Sequence, residues 1–353
     1  MRLTNRMLTV YPRLGGPLYK VDQVPEEFHE SFIVKGYRNP KSSAIQCILS
    51  VFDANNETLN FWTHFLPCWY FLWVLKGLSE EIDFWNDPYS WPLLTYMLAS
   101  CAFPMASAIA HVFNTMSDKA RHVCFFVDYA ALSVFTFGVA VSYRAYVFPD
   151  ALRQTVSVNV FVIGAVVNAM LCTVVSCHSR FMTPSLYPKL LRISAFAAPY
   201  FYNCSPVIYR LLYGTAEELA MESQYYHFRQ FIFIATSAFL YVSHIPERFY
   251  PGWFDIVGHS HQLFHVFTIL ALLDQMRATL MDQEHRRPYI DSIRDYPSAA
   301  MCLGLTSLVV LHNALIVLYF SFKLDNSQSK TSTSQTMLSE PAKLVQTKEE
   351  KSL

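Results

Sequence analysis

Charge is scarce in this chain: Asp, Glu, Lys and Arg make up 15% of its 353 residues, against about a quarter in ordinary soluble domains. That scarcity, beside 53% hydrophobic residues, excludes an ordinary soluble domain and reads as an integral membrane chain. An excess of either sign is also lacking. Lys and Arg number 27, Asp and Glu 27, so whole-chain charge gives no reason to expect a nucleic-acid partner. The eight cysteines form no Cys-x-x-Cys pair and no spacing of a secreted scaffold; they read as small buried hydrophobes rather than disulfides or metal ligands. The first sixty residues hold no continuous apolar run after a basic start, because Pro12, Pro17 and Pro25 interrupt the short ones. No cleavable signal peptide is expected.

What is present is a series of apolar stretches of about the 20 residues that a helix needs to cross the hydrocarbon core. Spans are predicted at 62–78, 91–113, 122–148, 155–176, 190–213, 227–244, 258–275 and 298–322. The expected fold is an all-α integral membrane protein with a seven-transmembrane-helix core over 59–275. Around it the sequence predicts an N-terminal cytosolic segment at 1–58, a polar loop at 276–297, an eighth C-terminal helix at 298–322 and a disordered polar tail at 323–353. The stretch 190–213 carries Pro199, Asn203, Pro206 and Arg210 and is expected to be kinked and to face the bundle interior. Arg2, Arg6, Arg13, Lys20, Lys35, Arg38 and Lys41 precede the first span, whereas Glu80, Glu81, Asp83 and Asp87 follow it, which places the N-terminus in the cytosol. Arg277, Arg286, Arg287 and Arg294 then fall on the outer side, against that rule.

The chemistry-bearing residues concentrate near the ends of these spans. His261 and His265 are four residues apart in an apolar stretch, and on a helix that spacing stacks two imidazoles on one face, as a metal requires. His111 closes the second span and Asp128 opens the third, joined by the short polar link Asn114 to Arg121. Counting helices brings Asn56–His64, His111, Asp128, His244–Arg248 and His259–His265 to one membrane face. His111, His261 and His265 make the three-imidazole set that a catalytic-type zinc site uses, with a fourth position open. In His-Gln-Leu-Phe-His, Gln262 stands where a peptidase would carry its general base, so Asp128 is the candidate base toward an activated water. Ser107, one turn before His111, is expected in a supporting hydrogen bond rather than as a nucleophile.

Plainer roles suit other residues. His178 and His312 read as hydrogen-bonded structural histidines, and Glu247-Arg248 as a loop anchor. Glu57 and Asn60 fit either a helix-start cluster or a direct role in the site. The acceptor patterns at Asn56 and Asn203 read as chance matches for glycosylation.

Glu57-x-x-Asn60-x-x-x-His64, Ser107-x-x-x-His111, Asp128, Pro246-Glu-Arg and His261-x-x-x-His265, in that order between about residues 34 and 275, resemble the progestin and adiponectin receptor family, itself similar to alkaline ceramidases. The resemblance implies a seven-helix core, zinc on His111, His261 and His265, and Asp128 beside it. It further implies a multi-pass plasma-membrane protein. In the progestin branch it implies a steroid ligand such as progesterone and signalling through a G protein; in the adiponectin branch, a zinc-dependent amidase acting on ceramide-like lipids. A third reading is a scaffold whose zinc only fastens helices. A steroid would suit a mostly apolar pocket, with Tyr200–Tyr209 as a candidate wall.

Overall fold

The computed structural model describes residues 13–326 except 154, 156 and 184. Helices dominate: α1 (Ala44–Leu49), α2 (Thr58–Glu81), α3 (Trp91–Phe113), α4 (Asp118–Ser142), α5 (Asp150–Arg153), α6 (Ser157–Ser179), α7 (Leu186–Tyr213), α8 (Ala216–Ala220), α9 (Ser223–Ser243), α10 (Ser260–Ile293) and α11 (Ala300–Asn326). The protein is an all-α membrane protein. Each of the eight predicted spans coincides with a helix of 21 residues or more. Among the described residues, five stretches are long and apolar enough to cross a membrane: Pro88–Phe113, Asp118–Val147, Val160–Ser179, Ser260–Ile293 and Ala300–Asn326. In α2, α7 and α9 polar and charged residues interrupt the apolar run, as Lys76, Glu80 and Glu81 do in α2.

Local chemistry sets the helix ends. Ser117 caps α4 by accepting from Ala120 N, and Thr215 and Glu218 form a reciprocal capping box on α8. Where α3 meets α4 the backbones come close, because Gly138 faces Ala99: a Cβ at 138 would lie 3.0 Å from the Ala99 Cβ. Along that contact Tyr96, Phe103, Phe135 and Val139 bury in one cluster with Phe71 of α2 and Ile269, Leu272 and Met276 of α10. The eighth long helix, α11, lies outside this core, with Cys302, Val309, Ile316 and Phe320 packed on α4 and α6. Only 22% of its apolar stretch is buried, against 44–67% in the other four.

The segment before α2 is ordered over its described residues. Tyr19–Lys20 (β1) pairs antiparallel with Lys35–Tyr37 (β2), and Val24, Ile33 and Tyr37 form a small core beneath them. Gly36 has φ +89, a conformation open to glycine, and its carbonyl accepts from Asn56 N at 3.0 Å. This pins the segment to the start of α2.

One expectation needs correction. The polar stretch 276–297 is not a loop, since α10 continues to Ile293. Its charged residues are consumed by other helices and so do not interrupt it: Asp282 pairs with Arg210 at 2.9 Å and with His227 at 3.0 Å, all three fully buried. Arg286 pairs with Asp150, and Arg287 with Asp87 at 2.8 Å. The same pairing neutralises Arg286 and Arg287, two of the four arginines that opposed the orientation rule. The predicted tail begins inside α11, which runs to Asn326, and from residue 327 it lies outside the described residues. Asp325 pairs with Lys119 at 2.7 Å, so α11 ends where α4 begins. Seven of the eight cysteines are buried and all are free. Asn56 and Asn203 are buried as well, which removes both from reach of glycosylation.

Candidate metal centre

The starts of α2, α4 and α10 meet the end of α3 at one end of the bundle, and the predicted histidines meet there. The liganding atoms of His111, His261 and His265 all lie within 4.8 Å of one another. His111 Nε2 and His261 Nε2 are 3.4 Å apart, and the ring centroids of His261 and His265 are 4.6 Å apart. A tetrahedral zinc with Zn–N bonds of about 2.0–2.1 Å sets its nitrogens about 3.3 Å apart. The His111–His261 separation matches that spacing, and His265 lies close enough to supply the third nitrogen.

Hydrogen bonds assign the free nitrogens. His111 Nδ1 lies 2.7 Å from Glu57 Oε2, and the same carboxylate accepts from Asn60 Nδ2 at 2.7 Å and Asn114 Nδ2 at 2.8 Å. An oxygen pair that only accepts is an ionised carboxylate. Nδ1 of His111 therefore carries the proton and Nε2 is left free. His265 Nδ1 faces the Asn60 carbonyl at 3.2 Å and Thr63 Oγ1 at 3.1 Å, which leaves its Nε2 free in the same way. Of the two roles open to Glu57, it takes the direct one, and its side chain makes no helix-capping bond.

The remaining site residues hold their neighbours. Ser107 and His111 both lie near enough to Asp128 to interact with its carboxyl group. Arg38 reaches from the N-terminal segment to the end of α3, donating to the carbonyls of His111 at 2.6 Å and Val112 at 2.8 Å and to Asn114 Oδ1 at 2.6 Å. It satisfies carbonyls that a helix C-terminus leaves free. Glu247 is buried and accepts from the backbone N and the hydroxyl of Ser260, so it sits on the N-terminus of α10 one residue before His261. Burial pushes the Glu247 carboxyl up, but hydrogen bonds from His244 and Ser260 outweigh this and hold it below its ordinary value. Gln262 spends its amide on the preceding loop, accepting from Gly258 N at 2.6 Å and donating to Ile256 O at 2.9 Å, so it supplies no base. His178 and His312 take no part in the cluster.

His64 had no assigned role in the sequence. It is buried, stacks on His265 with centroids 3.8 Å apart, and neither ring nitrogen has a hydrogen-bond partner among the described residues. Arg38 was also missed as a part of the site, because only the fold shows that a residue before α1 reaches the end of α3. The role of Glu57 was open to inference from one rule: a liganding histidine usually gives its second N–H to a carboxylate or carbonyl.

Long apolar helices, with three imidazoles and a carboxylate gathered where four of them meet, define an all-α membrane protein with a buried polar centre at one end of its bundle. A family model described as haemolysin-III related matches residues 52–276, and the chain belongs to that family, the family of the progestin and adiponectin receptors. Similar proteins include human membrane progestin receptor gamma, 44% identical over 310 residues that cover 87% of this chain and 94% of that protein. Human membrane progestin receptor delta is 42% identical, covering 87% and 91%. Membrane progestin receptor alpha of Cynoscion nebulosus is 31% identical, covering 82% and 86%.

Proposed function

We propose that this chain is a membrane progestin receptor of the plasma membrane, with its N-terminus in the cytosol, that binds a steroid such as progesterone and signals through a G protein. The observation that carries the reading is its likeness, 42–45% over 87% of the chain, to proteins named as gamma and delta receptors. Zinc is the proposed metal, held by His111, His261 and His265. When bound it fastens α3 to α10 and supplies a Lewis acid at that end of the bundle. Glu57 and the Asn60 carbonyl orient the imidazoles, Arg38 and Glu247 hold the ends of α3 and α10, and Ser107 orients Asp128. The candidate steroid wall on α7, Tyr200–Tyr209, faces Phe231 of α9 across a 6.1 Å contact with Tyr200, an aromatic setting suited to a flat apolar ligand.

A second reading rests on Asp128. A carboxyl group close to both Ser107 and His111 is more than a fastening zinc needs, and it suits an amidase acting on a ceramide-like lipid in which Asp128 moves a proton. Progesterone binding and ceramide turnover measured on one zinc-loaded sample separate the two. The receptor reading expects saturable progesterone binding that survives Asp128→Ala. Turnover that Asp128→Ala abolishes with zinc retained, together with no saturable steroid binding, would replace it with the amidase.

A further inference from the structure

Beside the histidines, on the same end of the bundle, four cations gather: Arg121 on α4, Arg180 just after α6, and Lys189 and Arg192 on α7. Arg121 pairs with Glu30. The other three make no ion pair with a carboxylate among the described residues, although Glu30 stands near Lys189 and Arg192, and Glu247 near Lys189. Arg180 Nε lies 3.1 Å from His122 Nδ1, its Nη1 lies 3.4 Å from the Tyr129 hydroxyl, and its guanidinium stands 4.6 Å over the Phe125 ring. Arg192 Nη1 reaches the same Tyr129 hydroxyl at 3.1 Å, while its Nε is buried with no partner. Lys189 Nζ lies 2.5 Å from His244 Nε2 and 3.5 Å from the Val242 carbonyl, over the Tyr241 ring. Glu247, the next carboxylate, is held by Ser260 and lies 3.7 Å from His244 Nδ1, so it reaches Lys189 only through that imidazole.

The other end of the bundle is built differently. There Arg144, Arg153, Arg210, Arg229, Arg286 and Arg287 each contact an aspartate. Arg180 and Arg192, both half-buried, share the one Tyr129 hydroxyl and repel one another with little water to screen them. Long cationic side chains that only anchor a helix extend their heads into water, and these do not. Guanidinium forks match phosphate oxygens two at a time. The residues flanking the cluster are apolar and open to the outside: Leu186, Tyr187, Leu190 and Val242 are all exposed. A ligand lying there meets cations at its head and hydrocarbon along its length.

We propose that Arg180, Lys189 and Arg192 bind the phosphate headgroup of an anionic membrane glycerophospholipid whose acyl chains lie against the exposed apolar residues of α7 and α9. The site adjoins the metal centre, since Phe125 contacts His111 at 6.0 Å and Tyr241 contacts His261 at 6.3 Å. It depends on neither the steroid nor the amidase reading.

The test uses the full chain in micelles holding equal phosphatidylglycerol and phosphatidylcholine, with bound lipid counted by native mass spectrometry. One phosphatidylglycerol should stay bound under conditions that strip phosphatidylcholine, and Arg180→Gln/Arg192→Gln should weaken that binding by about tenfold or more. Lys189→Gln, a half-buried side chain with one backbone contact, should weaken it less but measurably, and it decides the matter if the double variant fails to fold. Lys76→Gln, on an exposed residue paired with Glu80 at the far end, should change nothing. Equal retention by wild type and variants would overturn the site. Displacement of the lipid by millimolar inorganic phosphate, or retention of phosphate in its place, would overturn the lipid and leave an ion site.

Discussion

Replacing Glu57 by Gln tests whether the proposed metal centre is held by its hydrogen-bonded surroundings. The substitution keeps shape and volume but leaves one accepting oxygen where the carboxylate offers two, while three donors converge there: His111 Nδ1, Asn60 Nδ2 and Asn114 Nδ2. At least one donor then faces an NH2 group. If His111 loses its acceptor it is free to move its proton to Nε2, the nitrogen that points at His261. Removing such a partner typically costs 10–100-fold in metal affinity, about 1.4–2.8 kcal/mol. Zinc affinity of the detergent-purified chain, by competition against a chromophoric chelator, should fall by that factor, with size-exclusion behaviour unchanged. Glu57→Asp, which keeps the charge on a shorter arm, should fall between the two. An unchanged affinity in a folded Glu57→Gln variant would refute the argument that the carboxylate sets the His111 tautomer.

Three other outcomes follow from the packing. Asp282→Ala leaves Arg210 and His227 buried without their shared partner and should cost about 3–5 kcal/mol, read as a clear drop in the thermal midpoint with zinc content unchanged; an unmoved midpoint would show that the network is dispensable. Gly138→Leu drives a side chain into Ala99 and should destabilise by about 1–3 kcal/mol, measured by unfolding in detergent, whereas stability equal to wild type would mean that α3 and α4 separate freely. For Glu247, the folded carboxyl lies below its ordinary value of 4.5, so its contribution is complete above that pH and is lost as pH falls through the lower folded value. Hydrogen exchange in 245–259 should therefore be slow and constant from pH 7 to 5 after correction for intrinsic rates and rise below 4.5; protection that persists well into that range would count against Glu247 as the anchor of α10.

The positions of the long helices were legible because apolar length is written directly in composition, and the histidine set because i, i+4 spacing and helix parity are. Less legible were features that depend on what a residue meets. The run Arg277 to Asp295 reads as a loop on its own, and only Arg210, Asp150 and Asp87, brought in from other elements, turn its charges into the side of a helix. Arg38 sits 73 positions from the carbonyl it satisfies, and no local pattern marks that contact. Glu247 and Ser260 are separated by a loop whose course fixes their contact. His64 was visible as a residue but its stacking on His265 was not, since ring contacts between α2 and α10 follow from how the two helices rotate about their axes.

That rotation explains why the three histidines meet although α3 and α10 are far apart in sequence. Glu57 just precedes α2, and Asn60, Thr63 and His64 occupy its first two turns; positions three and four apart share a face. From that face Glu57 holds His111 of α3, while Asn60 and Thr63 hold His265 of α10 and His64 stacks on it. One helical face therefore orients ligands from two different helices. A turn of α2 about its axis would misplace both at once, so the contacts that fix its start act on the proposed metal site without touching it. Those contacts come from outside the spans: Asn56 N donates to the Gly36 carbonyl, and the Asn56 carbonyl lies 3.1 Å from His259 Nε2. The ordered N-terminal segment and the loop before α10 are in this sense part of the site, and the geometry of the histidines depends on both.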